Sequence, residues 1–117
     1  MHPATDQAPL ILNIPAELTK LRATAALERD GRTATTLLKD GPLRILLVAL
    51  RKGGRLLEHP TPGRVGIQVF EGDVTLRAGD AEHRLTSGDE ILLTHGQRHT
   101  VDAHADSALL LHFVLPS

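Results

Sequence analysis

The chain has 117 residues, enough for one domain whose core needs no disulfide or structural metal to hold it. It has no cysteine, which rules out disulfides, thiolate metal ligands and a cysteine nucleophile, so any metal would rest on nitrogen and oxygen. Thirteen Lys and Arg against 14 Asp and Glu give a formal net charge of −1, scattered along the chain, which argues against a nucleic acid or a membrane surface as partner.

The first stretch, MHPATDQAPLILNIPAEL, has neither the basic start nor the long apolar run of a signal peptide. No segment approaches the roughly 20 apolar residues of a membrane span, and a cytoplasmic protein is the default expectation. Next comes the one helical candidate, PAELTKLRATAAL over 15–27, with Pro15 in the first turn and Leu18, Leu21 and Ala25 at spacings of three and four.

Beyond Gly31 the pattern changes to short apolar runs cut by Gly-rich turns, the rhythm of antiparallel strands. The predicted strands are RTATTLL, LRILLVAL, RLLE, RVGIQVF, VTLRA, EHRLT, EILLT, HTVDA and ALLLHFVL, giving an all-β domain of nine strands. The expected division is a single domain over 1–117, with an N-terminal segment to residue 31 and a barrel from 32.

Alternation in RVGIQVF sets Val65, Ile67 and Val69 on one face, and in VTLRA it sets Val74 and Leu76 against Thr75 and Arg77, so these strands have one wet face. Ile45 to Leu50 and Ala108 to Leu111 are apolar without a break, which requires cover on both faces. The opposite sheet covers one; the N-terminal segment or a second subunit covers the other, and a homodimer is expected. Phe70 and Phe113 are the only aromatic residues, so there is no platform for stacking sugars or bases.

The spacing of glycines and histidines resembles the cupins. From Gly53 through Gly72 the chain is similar to their first motif, G-x5-H-x-H-x3-4-E-x6-G, and from Gly88 through Ala103 to their second, G-x5-P-x-G-x2-H-x3-N. His59 and His99 stand at motif histidine positions, and Gly53, Gly72, Gly88 and Gly96 match. The second histidine position is Thr61, the glutamate position Val65, the proline position Thr94 and the final asparagine Ala103.

The resemblance implies a conical jelly-roll β-barrel, often dimeric, with the motif histidines directed into its mouth. It implies no single activity, because this scaffold carries many chemistries. A complete cupin site holds a divalent metal on three histidines and a carboxylate, and this chain keeps two of those four, with no charge at Val65. The expectation is no metal or one weakly bound divalent ion (Zn, Mn, Fe or Ni).

On this reading the barrel binds a small molecule in a pocket formed by His59, Thr61, Val65, Ile67 and His99, flanked by Arg64, Gln68 and Arg98. The alternative is a metal-dependent dioxygenase or isomerase in which His59 and His99 gain a further ligand such as His112, if that residue turns inward. His95, at the barrel mouth, and His104, in a solvated loop, are the other histidines weighed for the same role. The absence of tyrosine and cysteine removes the acids and ligands that the epimerase and thiol-oxygenase branches use.

Overall fold

The structure, a computed structural model, describes residues 9–57, 63–94 and 96–116. Two short helices lead into nine strands. The helices are α1 (Ile14–Arg22) and α2 (Ala25–Asp30). The strands are β1 (Arg32–Asp40), β2 (Leu43–Leu50), β3 (Arg55–Leu57), β4 (Arg64–Glu71), β5 (Asp73–Ala78), β6 (Ala81–Thr86), β7 (Glu90–Leu93), β8 (His99–Ala103) and β9 (Ser107–Val114).

The nine expected strands are all present, within a residue or two of their expected bounds. The single helix is corrected to two. Asn13 caps α1, its side chain accepting from the Ala16 amide at 3.0 Å, and Pro15 sits in the first turn where a missing N–H costs nothing. The expected helix ran to Leu27, but Thr24 leaves the helical region with φ −77 and ψ 145. Its hydroxyl donates to the Leu21 carbonyl at 2.8 Å, offering the backbone a local alternative to another helical turn. The chain then restarts as α2 and buries Leu27.

The strands form two antiparallel sheets, one in the order β1-β2-β9-β4-β7 and one in the order β3-β8-β5-β6. Between the sheets lies the main core, which includes Val65, Ile67 and Val69 of β4, Val74 and Leu76 of β5, Val101 of β8, and Leu109, Leu111 and Phe113 of β9. Strand alternation puts every second residue of β4 and β5, and the apolar inward residues of β8 and β9, here. The outer face of the five-stranded sheet carries a second cluster, in which Leu18, Leu21 and Leu27 of the helices pack on Leu37, Leu47, Ala49 and Ala108. The unbroken apolar runs in β2 and β9 therefore have their second cover in the N-terminal segment.

The outer face of the four-stranded sheet is wet and charged. Asp102 of β8 accepts from Arg55 of β3 at 2.6 Å and from Arg77 of β5 at 2.7 Å, and Arg77 also reaches Glu82 of β6 at 2.7 Å. Arg84 clasps Asp73 through two bonds of 2.5 and 2.7 Å, and that guanidinium holds the Asp73 carboxyl below its ordinary value. At the β4–β5 turn Gly72 has φ 119, and a Cβ there would collide with Ser107, so both conformation and space demand glycine.

Candidate functional site

His99 opens β8. The turn before it is made by Gly96, with φ 76, and strand alternation then carries His99, Val101 and Ala103 to the inner side of the four-stranded sheet. The imidazole is 4% exposed, and neither Nδ1 nor Nε2 has a hydrogen-bond partner among the described residues. Burial pushes its pKa below the ordinary histidine value, so the ring is neutral. The backbone of Gln97 opposes that shift without bonding to either nitrogen. Buried polar groups in folded proteins are almost always paired, so two ring nitrogens without a partner among the described residues, on one inward-facing side chain, stand out as the exception.

Across the barrel, Val65 and Ile67 face inward from β4 as alternation predicts. They are 3% and 1% exposed and belong to the main core. Val65, at the position where the resemblance would put a carboxylate, thus meets the interior with a hydrocarbon side chain. His59 and Thr61, expected beside them, and His95 lie outside the described residues.

His112, a further ligand only on the condition that it turned inward, faces outward. Its neighbours Leu111 and Phe113 belong to the main core, so alternation turns His112 to the other side of the sheet, opposite Ile45 and Gly66 in the register. Arg64 and Gln68 share that outer face by the same parity, and Arg98 is exposed. His104 is exposed too, with Nε2 2.6 Å from the Thr75 hydroxyl.

The described residues therefore supply one inward imidazole and do not by themselves make a metal site. Among them no group of three or more His, Asp or Glu side chains converges. A divalent ion on one neutral nitrogen, with valine at the carboxylate position, lacks both ligand number and charge. What the described part of the barrel offers is a largely hydrocarbon interior in which His99 is a buried polar side chain without a hydrogen-bond partner among the described residues, while the buried Ser107 hydroxyl is paired. No helix among the described residues is long and apolar enough to cross a membrane.

No protein-family profile and no curated protein matches the sequence. Solved structures do. A conserved protein of unknown function from Streptococcus pyogenes is 25% identical over 76% of this chain and 78% of that one, with a TM-score of 0.69. A cupin superfamily protein from Desulfitobacterium hafniense is 14% identical over 73% of this chain and 78% of that one, with a TM-score of 0.70. Salicylate 1,2-dioxygenase from Pseudoaminobacter salicylatoxidans, in an adduct with gentisate, is 18% identical over 88% of this chain but only 32% of that one, with a TM-score of 0.78. The two facing antiparallel sheets and these neighbours agree, and the chain is a small protein of the cupin fold.

Proposed function

We propose that this chain binds a small, uncharged, mostly apolar molecule in the barrel, with His99 as its polar anchor and His59 contributing from the preceding motif. The observation that carries this reading is the buried His99 ring, whose two nitrogens have no partner among the described residues and whose pKa burial pushes down. Such an imidazole accepts at one nitrogen and donates at the other, which suits a ligand carbonyl, hydroxyl or amide. A charged ligand fits less well, because the inward-facing residues described on both sheets are almost all hydrocarbon and give an ion no partner.

The alternative is a metal-dependent enzyme in which His59 and His99 share a divalent ion with a ligand other than His112. The fold similarity to a dioxygenase keeps it in view. Elemental analysis of protein purified without chelator or affinity metal, beside His59→Ala and His99→Ala, separates the two. The expected result is substoichiometric metal in all three, with small carbonyl compounds from a fragment screen shifting the His99 ring signals in NMR of the wild type and having no effect on His99→Ala. Near-stoichiometric metal in the wild type, lost in both variants, would overturn this reading and favour the enzyme.

A further inference from the structure

On the outer face of the five-stranded sheet the helices pack over β1, β2 and part of β9, and β7 with the Arg64 end of β4 lies beyond them. There the register centres on Gly66, which stands between Leu92 of β7 and His112 of β9. Gly66 has no side chain to fill its place. A Cβ there would come within 3.1 Å of a Leu92 methyl and 3.9 Å of the Glu90 carboxyl carbon, so those two side chains bound a notch in the sheet face. With Val114 and the His112 ring at its sides, the notch widens into a groove of about 410 Å³. Ligand pockets run from about 300 to 1,000 Å³, so this one has the size for a small molecule. Leu92 and Val114 are 75% and 53% exposed, which leaves hydrocarbon open to a guest.

Two opposite charges border the groove without meeting. Arg64 and Glu90 line it and are exposed, and neither takes part in an ion pair among the described residues. Glu90 pairs in the register with Gln68, four residues along β4 from Arg64, which separates the two backbones by roughly 13 Å. From its end the Glu90 carboxylate leans toward Gly66, and Arg64 stands two residues from Gly66 on the other side and the same face. Elsewhere on the barrel Arg51, Arg55, Arg77 and Arg84 each meet a carboxylate. A guest with one charge would satisfy one of the two groups and lay its apolar body against the other, which then loses water without gaining a partner. A guest with both charges satisfies both.

We infer that this groove binds a small zwitterion with an aliphatic body, of the chemical class of the aliphatic amino acids. Its carboxylate takes the Arg64 guanidinium and its ammonium takes the Glu90 carboxylate, both charge-assisted bonds. Its side chain lies over Gly66 against Leu92 and Val114, where the missing Cβ gives it room. The site is separate from the barrel interior, since it uses the opposite face of the sheet.

The test is an NMR titration of the isotope-labelled full chain with L-leucine. Saturable shifts are expected at the amides of Leu92 and His112, with the His99 ring signals unmoved. Arg64→Gln and Glu90→Gln should each weaken binding about tenfold or more. Isocaproate and isoamylamine keep leucine's side chain but carry one charge each, and both should bind about tenfold less tightly than leucine or worse. Gly66→Val, whose first added carbon meets only the flexible end of Leu92, should keep the β-sheet circular dichroism and abolish the shifts. No saturable shift at millimolar leucine would overturn the inference. So would equal binding of either singly charged analogue, binding indifferent to both charge substitutions, or movement of the His99 ring, which would place leucine in the barrel. Shifts that follow protein concentration and not leucine would give the groove to a second copy of the chain and overturn it too.

Discussion

His99 carries the proposed site, and its pairing state has a measurable consequence. A buried polar group left unpaired costs about 1–3 kcal/mol, so replacing the ring by a hydrocarbon of similar size should stabilise the empty barrel. His99→Leu is expected to raise the urea midpoint at neutral pH by an amount worth about 1 kcal/mol or more, while removing ligand binding. Its pH dependence runs in a fixed direction. Burial lowers the folded-state pKa below the ordinary 6.5, so between those two values the unfolded chain holds a proton that the folded chain does not. The stability this gives is full above 6.5 and lost as pH falls below it. Urea melts of wild type and His99→Leu at pH values on either side of 6.5 should show a steeper acid loss in the wild type; parallel losses would mean that His99 is not the group responsible. Of this site, the sequence shows the His99 position through its motif and shows that Val65 replaces a carboxylate. It does not show that both ring nitrogens lack partners, because that depends on which side chains the opposite sheet brings near. His112 illustrates the same limit. Alternation alone says that it opposes Leu111 and Phe113, but only the packing decides which of the two faces is the core.

Among the elements, the strands were legible because their ends are written in residues with few other uses. Gly53, Gly72, Gly88 and Gly96 all have positive φ, from 76 to 119, and the turns they make fix where each strand stops. These glycines match the motif at all four positions, whereas only two of its four metal-ligand positions do, and the turns of the barrel need them with or without a metal. The helical region was less legible. Leu18 and Leu21 keep the helical spacing, but the break at Thr24 depends on a side-chain bond back to Leu21 that no periodicity records. Leu21 stands at this junction, 5% exposed, beneath α1 and against the sheet. Leu21→Ala removes its packing beside a break that limits how far the helices can settle into the space. The expected loss is about 2–3 kcal/mol in urea unfolding, within the range for buried leucines. A loss well under 1 kcal/mol would mean that the helices rest on the sheet without being anchored to it.

The molecule as a whole treats its two outer faces in opposite ways. The four-stranded sheet meets water through a ladder of ion pairs from Arg55 to Glu82, so it needs no cover. The five-stranded sheet presents Ile45, Leu47, Ala49, Ala108 and Leu110 outward, and no polar residue relieves that stretch. The buried residues of the core between the sheets all lie on strands, so the barrel is expected to keep its fold without the first 31 residues. It is not complete as a surface. A chain beginning at Arg32 should keep its β-sheet circular dichroism but bind a hydrophobic dye strongly and associate into large species, because a bare apolar sheet face of this size is an aggregation site. The full chain should bind the dye weakly, because its helices cover that apolar stretch. If the truncated barrel instead stayed small and bound little dye, the outer face would be closing on itself and the helices would be dispensable. If the truncated chain lost its β signal altogether, the helices would be part of the folding core and the separation into two clusters would fail. Association with the β signal retained is the outcome that fits a barrel built by its strands and made soluble by its N-terminal helices.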